Sequence, residues 1–136
     1  MAAATNREIE ALTNCITEWF DRCIHWQFYG EVSLDQLIET YGQLYGHESF
    51  DSTRAQIRNF RDVSVSAPSV EDVQTIAAFD RAAALSNPIM KVAVVTPDCA
   101  EHKMLAELYS AELYESPWDV KVFDCLEQAK RWIGAN

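Results

Sequence analysis

The hydrophobic residues of the chain recur with two different spacings, which separate segments of predicted strand from segments of predicted helix. Residues 14–20 and 24–29 are dominated by aromatic and β-branched side chains, and the polar pair Asp21-Arg22 lies between them. This pattern predicts a β-hairpin, since such residues favour strands and a short polar break favours a turn. Successive side chains of a strand point to opposite faces. In the second strand, the side chains expected to share the core face are Ile24, Trp26 and Phe28.

Helical spacing begins after the hairpin and returns three more times along the chain. Ser33 followed by Gln36 forms a capping box that predicts the first helix start, and Ser69 followed by Asp72 predicts the second in the same way. Apolar residues then recur every three to four positions, which indicates one buried face on each helix. The four predicted helices end near Gly46, Leu85, Leu113 and Gly134.

Three further segments have the pattern of strands, at residues 55–60, 90–95 and 118–123. The middle one is continuously apolar after its lysine, which is typical of a strand covered by helices on both faces. The predicted order is ββαβαβαβα. Because strands and helices alternate in the second half, those strands are expected to be parallel, while the hairpin adds an antiparallel edge. The predicted fold class is α/β with a mixed five-stranded sheet, in one domain over residues 1–136, where residues 1–13 form either a loose arm or an extra edge segment.

The charge of the chain changes which partners are reasonable. Eleven Lys and Arg against 21 Asp and Glu give a net charge of −10 over 136 residues. Such a chain would repel the phosphates that a nucleic-acid binder must neutralise, so DNA and RNA are excluded as predicted partners. The excess is uneven, with net −7 in residues 1–52 and net −3 in the remainder.

No sequence motif indicates a cofactor, a metal or a membrane span. The four glycines leave no phosphate-binding loop or nucleophile elbow, and no CxxC pair occurs among the cysteines. The start of the chain lacks a signal-peptide pattern, and the longest aliphatic run, Val92 to Val95, is too short to cross a bilayer. We therefore expect a cytoplasmic protein that does not span the membrane and holds no cofactor or metal. The four cysteines are Cys15, Cys23, Cys99 and Cys125.

The element order, together with four segments, resembles the small bacterial SpoIIAA-like proteins of the STAS/SEC14 group. The likeness covers nearly everything from Asn14 onward. The resemblance implies a mixed sheet flanked by helices and a role in binding or signalling, acting through a protein partner or an apolar ligand and not through catalysis. The segments that carry it are GEVSLDQLIETY, NFRDVSVSAPSVEDVQTIAAFDRAAA, KVAVVTPD and SPWDVKVFDCLEQAKRWI.

Related anti-sigma-factor antagonists are phosphorylated on a serine in an Asp-Ser-Ser-Gly turn before the second long helix. The matching stretch here is Ala67-Pro68-Ser69-Val70, so Ser69 is the candidate phosphorylation site while the Asp and Gly of the turn are missing. A phosphate there would gain from the positive helix start and from Arg61, if the turn brings that cation close. A phosphorylation-dependent antagonist is therefore an alternative function. The competing interpretation of Ser69 is an ordinary helix cap.

Two further sets of residues are candidates for binding. The relationship to lipid-binding SEC14 domains favours an apolar pocket for a small ligand or lipid, enclosed by the hairpin and the first helix, or an apolar patch that the same elements expose for association. The only local basic cluster is a candidate contact for an anionic partner, and the competing interpretation is pairing with the acid-rich first half. The pocket candidates are Trp26, Phe28, Leu37, Tyr41 and Tyr45, and the basic cluster consists of Arg54, Arg58 and Arg61.

An enzyme and a homodimer are the remaining hypotheses. Cys99 and His102 lie three residues apart at the start of the third helix, beyond a parallel strand, where open α/β sheets place their ligands and a helix start activates thiols. No oxyanion donor or third partner accompanies them, so catalysis ranks below binding. An edge strand in a small α/β module would also allow two copies to pair.

Overall fold

A five-stranded mixed sheet forms the centre of the protein. The structure, a computed structural model, describes residues 14–64 and 67–134, so the predicted arm at 1–13 lies outside the described residues. The strands run in the spatial order β1-β2-β3-β4-β5, with β1 antiparallel to β2 and every other neighbouring pair parallel. This confirms the predicted fold class. The strands are β1 Cys15–Phe20, β2 Cys23–Gly30, β3 Ala55–Val63, β4 Lys91–Val95 and β5 Asp119–Phe123.

The described residues form four α-helices, and their starts follow the caps predicted from the sequence. Ser33 Oγ accepts a hydrogen bond from the Gln36 amide at 3.2 Å, and Ser69 Oγ accepts one from the Asp72 amide at 3.0 Å. Both capping boxes are therefore confirmed. Gly134 ends the last helix at φ +81°, a left-handed conformation that glycine adopts without strain. The helices are α1 Leu34–Tyr45, α2 Val70–Ser86, α3 Ala100–Glu112 and α4 Leu126–Ile133, with a 3₁₀ helix at Glu48–Ser52.

Strand β3 is longer than the sequence pattern predicted. The expected strand ended at Phe60, but pairing with β2 continues to Val63, where Tyr29 lies opposite Asp62 after a bulge in the register. The polar residues of this extension pair only with β2, since β4 ends opposite Asn59. The end of β3 therefore projects beyond its other neighbour.

The two faces of the sheet are covered unequally. Helices α1, α2 and α3 pack over the face that carries the larger core, and the buried Ile24, Trp26 and Phe28 belong to it as predicted. On the opposite face α4 covers β3, β4 and β5, where Ile57 and Val95 are fully buried. Beyond α4 this face opens to solvent at Tyr29, which is 43% exposed.

His25 is buried on the α4 face of the sheet, and its titration is expected to affect stability. The pKa of the ring is lowered mainly by burial, and slightly by Lys130, although the Glu18 carboxylate at 3.3 Å opposes the shift. Below about pH 6.5, the ordinary histidine pKa, the unfolded chain therefore takes up a proton before the folded chain does, so stability falls as the pH falls.

Chemical denaturation at about pH 7.5 and about pH 5.5 measures this effect, each time for the wild type and for His25→Gln. The wild type is expected to lose more of its free energy of unfolding on acidification than the variant does. An equal loss in both proteins contradicts the assignment to His25, because every other titrating group is shared.

Candidate functional site

An apolar cavity of about 310 Å³ lies between the sheet and the helices α1, α2 and α3. It opens at the carboxyl ends of β3 and β4, the end at which parallel α/β sheets usually bind ligands. The wall is predominantly apolar, and all three helices and both strands contribute to it. Apolar residues of the wall include Leu37, Phe60, Ile76, Val94, Leu105 and Ala106.

The same sequence features that start the helices also form the rim of the cavity. Ser33, the cap of α1, and Asp72, in the first turn of α2, both line it. The apolar stripes that begin at these caps then run down the walls, with Leu34, Leu37 and Tyr41 at helical spacing on α1. Local capping and periodicity therefore position the opening and the walls together.

The floor of the cavity contains a buried arginine with a complete set of hydrogen bonds. The Arg58 side chain is only 2% exposed, and its Nη1 donates to Asp80 Oδ2 at 2.8 Å and to Tyr109 Oη at 3.0 Å. Its Nη2 donates to Tyr45 Oη at 3.1 Å and to Gln56 Oε1 at 2.7 Å, and Nε donates to the same Gln56 oxygen at 3.1 Å. Each of the five guanidinium N–H groups therefore has an acceptor.

The Asp80 carboxylate is fully buried and balances the arginine charge. Oδ1 accepts a hydrogen bond from Tyr45 Oη at 2.5 Å, and Oδ2 accepts one from Tyr109 Oη at 2.6 Å. The guanidinium carbon also lies 3.8 Å from the centre of the Tyr41 ring, in a cation–π contact. We call Arg58, Asp80, Tyr45, Tyr109 and Gln56 the floor cluster.

Burial sets the protonation of the floor cluster. It raises the pKa of Tyr45 and of Tyr109 well above the ordinary value, although the positive charge of Arg58 opposes that shift. Burial alone would lower the pKa of Arg58, but Asp80 and then the tyrosines outweigh it, and the arginine pKa lies well above its ordinary value. At neutral pH the two phenols are therefore neutral donors, and the arginine remains a cation.

Two of the five predicted pocket residues line the cavity and three do not. Leu37 and Tyr41 form part of its wall. Trp26, Phe28 and Tyr45 lie outside the lining because core contacts occupy their rings. Trp26 packs on Tyr41 at 5.1 Å between ring centres, Phe28 stacks on Phe60 at 4.8 Å, and Tyr45 belongs to the floor cluster through its bond to Asp80. The expected enclosure by the hairpin is thus corrected to one by three helices.

The predicted basic cluster is corrected at Arg58, the member that is buried. Arg58 is buried in the floor cluster, and its carboxylate partner is Asp80, which lies outside the acid-rich residues 1–52. Arg54 Nη1 donates to the carbonyls of residues 51 and 53, at 2.9 and 2.8 Å. The Arg61 guanidinium donates to the Asp124 carbonyl at 2.8 Å. The three side chains therefore serve three different local structures.

Ser69 is exposed at the start of α2 and acts as the cap of that helix. Arg61, the expected partner of a phosphate on Ser69, donates to the Asp124 carbonyl, while two carboxylates, Glu71 and Asp72, lie in the first turn of α2. A phosphate on Ser69 would meet this negative charge. The structure thus supports the capping interpretation directly and leaves phosphorylation a hypothesis.

Ser69→Ala is expected to lower the free energy of unfolding by about 1 kcal/mol, because it removes the acceptor of the Asp72 amide. Ser69→Asp is the matched control, since aspartate caps as well as serine and should leave stability within a few tenths of a kcal/mol. Urea denaturation monitored by circular dichroism measures both. Equal stability of Ser69→Ala and the wild type would show that the cap contributes nothing.

Cys99 and His102 do not meet in the cavity. His102 lines it near the opening, whereas Cys99 is exposed at the cap position of α3 and is not part of the lining. The other three cysteines also lie outside the described lining of the cavity. The described lining of the cavity therefore includes His102 and none of the four cysteines.

Asp80 and Tyr109 are two members of the floor cluster that were not predicted from the sequence. A signal for Asp80 existed, because it occupies the buried stripe of α2 between Ala77 and Ala84, where an apolar residue is expected. A carboxylate in such a stripe needs a buried cation as its partner. Arg58, at an inward position of the central strand, is that cation.

Comparison with models of known protein families, with curated proteins and with solved structures finds no significant match to this chain. Within residues 14–64 and 67–134, no helix is long and apolar enough to cross a membrane. The same residues contain no group of three or more His, Cys, Asp or Glu placed to hold a metal ion.

Proposed function

We propose that this chain is a non-catalytic, STAS-like binding module that holds a small apolar ligand in the cavity above the floor cluster. The observation that carries the proposal is the cavity itself, with a volume of about 310 Å³ at the carboxyl ends of β3 and β4. Ligand pockets have volumes of about 300–1,000 Å³, mostly apolar walls and a few fixed polar groups. All three properties are met here.

The arrangement of polar groups favours binding over reaction. The Arg58 side chain, which lines the cavity, donates all its N–H groups within the floor cluster, and Tyr109 is likewise bonded to Asp80. Groups held in this way provide a rigid, neutral floor. They are poor candidates for proton transfer because burial keeps the phenols protonated at neutral pH.

Filling the cavity tests the proposal. Ala106 lines the cavity and is 8% exposed, so Ala106→Met places its longer side chain in the empty volume. Ala111, on the same helix, is exposed and lies outside this lining, which makes Ala111→Met the matched control. Native mass spectrometry of protein isolated from its own cells is expected to show an additional non-covalent mass in the wild type and the control. Ala106→Met should lack it.

Two results would contradict the proposal. One is an unliganded wild type that also binds no neutral probe of about ten non-hydrogen atoms, the size the cavity admits. The other is a ligand retained equally by Ala106→Met, which would place binding elsewhere. A co-purifying protein without a small ligand would instead favour a module that acts through protein contacts.

The second candidate is a phosphorylation-dependent antagonist, which the exposure of Ser69 between the lining residues Pro68 and Asp72 favours. Intact-mass measurement after incubation with ATP and extract of the source cell tests it. A phosphate that disappears in Ser69→Ala supports this function, and its absence from the wild type contradicts it.

A further inference from the structure

We infer that the ligand of this cavity is an uncharged, compact molecule with about ten non-hydrogen atoms, and that carboxylates such as fatty acids are rejected. The inference rests on the proposed function. The observation behind it is that the one Lys or Arg side chain in the described lining, Arg58, is already fully bonded and neutralised.

The first step concerns anions. A ligand carboxylate on the floor would need donors from Arg58, but all five N–H groups are bonded to Asp80, Gln56, Tyr45 and Tyr109. It would also lie close to the Asp80 carboxylate, whose charge is already balanced. A buried charge without a partner is strongly disfavoured, so a carboxylate gains nothing to offset its loss of hydration.

The second step concerns the opening. The rim carries the carboxylate of Asp72, and the whole chain has a net charge of −10. Both oppose the attraction that the positive starts of α1 and α2 at this rim would exert on an anion. A cation that passes the rim finds Asp80 fully buried and bonded to Arg58, Tyr45 and Tyr109. A neutral molecule therefore loses the least hydration free energy on entering the cavity.

The third step concerns size. A water molecule occupies about 30 Å³ in the liquid, so a cavity of 310 Å³ holds about ten groups of that size. A chain of eight carbons with one small polar end fills it. A phospholipid with two long chains exceeds it several-fold.

Octanamide and octanoate form the matched pair that tests the inference, since they have the same length and nearly the same shape and differ in charge at neutral pH. Isothermal titration of the wild-type chain is expected to give a dissociation constant for octanamide at least about tenfold below that for octanoate. Ala106→Met should abolish binding of octanamide, and Ala111→Met should leave it unchanged.

Each other result has a separate meaning. Octanoate binding as tightly as octanamide, or more tightly, overturns the inference and leaves the proposed function intact. Binding of neither compound, with no ligand in the native mass spectrum, overturns the proposed function and the inference with it. Extraction of phospholipid from dioleoylphosphatidylcholine vesicles overturns the size limit.

Asp80→Asn tests the physical cause, because it removes the negative charge that neutralises Arg58 at nearly constant shape. The variant is expected to shift the preference towards octanoate by about tenfold or more relative to the wild type. An unchanged preference in a folded variant would mean that the rejection of carboxylates does not depend on the floor cluster. The comparison in the wild-type chain stands without this variant if it does not fold.

Discussion

Arg58→Met is expected to lower the free energy of unfolding by about 3–5 kcal/mol, the cost of removing one partner of a buried ion pair. The substitution keeps most of the side-chain length but leaves the Asp80 carboxylate, which is fully buried, without its cation. It also removes donors from the Tyr45, Tyr109 and Gln56 oxygens. Urea denaturation monitored by tryptophan fluorescence measures the loss.

Arg81→Met is the matched control for this substitution. The Arg81–Glu112 pair is 3.4 Å long and both side chains are partly exposed, so it is expected to contribute less than about 1 kcal/mol. Equal effects of the two substitutions would contradict the assignment of a large buried contribution to Arg58.

A double variant separates the charge from the packing. Arg58→Met combined with Asp80→Leu removes both charges, and apolar replacements of a buried pair are often tolerated. We therefore expect the double variant to be more stable than the sum of the two single effects predicts, by about 1–3 kcal/mol. Strict additivity would show that the two side chains do not act as a pair.

Asn87→Ala is expected to have the second largest effect, a loss of about 1–3 kcal/mol, because it removes two buried hydrogen bonds. Asn87 is 4% exposed, and its Nδ2 donates to the carbonyls of Phe50 at 2.7 Å and Thr53 at 3.2 Å. This amide therefore connects the end of α2 to the 3₁₀ segment before β3.

Thermal and urea denaturation measure the loss, and Asn14→Ala is the control. Asn14 Nδ2 also donates to a carbonyl, that of Glu31 at 2.9 Å, but this hydrogen bond is exposed to water. The control is expected to lose less than about 1 kcal/mol, since water replaces the missing donor. A small loss in both variants would mean that the remaining donors, the Thr53 amide and Arg54 Nη1, are enough to satisfy the Phe50 and Thr53 carbonyls.

The parts of the fold that were predicted from the sequence are those determined by local interactions. The capping serines Ser33 and Ser69 act within a single helix turn, and the alternation of Ile24 with its neighbours acts within a single strand. The order of the strands depends instead on which non-local pairs form. No local pattern in the sequence determined that order.

The floor of the site was missed because Arg58 was expected to contact an anionic partner. Gln56 and Arg58 lie on the same face of β3, but β3 is the central strand and that face lies under three helices. Their burial depends on Asp80, which follows Arg58 by 22 residues and belongs to another element. Only the assembled tertiary structure shows that the two charges meet.

Only some of the cavity residues were predicted, again because the tertiary structure decides which apolar side chains border the cavity. Leu37 and Tyr41 belong to the apolar face of α1, which periodicity identifies. Whether an apolar side chain fills the core or borders an empty volume depends on its neighbours across the helix interface. Trp26 and Leu37 have the same hydrophobic signal in the sequence, yet only Leu37 reaches the cavity.

The floor cluster also restricts how the helices can slide on the sheet. Its acceptors come from every helix on that face, with Tyr45 at the end of α1, Asp80 in α2 and Tyr109 in α3. A shift of α2 by one turn, about 5.4 Å along its axis, would carry the Asp80 carboxylate away from the Arg58 guanidinium. Both buried charges would then lack a partner. Apolar contacts are less directional than this ion pair, so one arginine on the central strand helps to distinguish the native register from registers shifted by one turn.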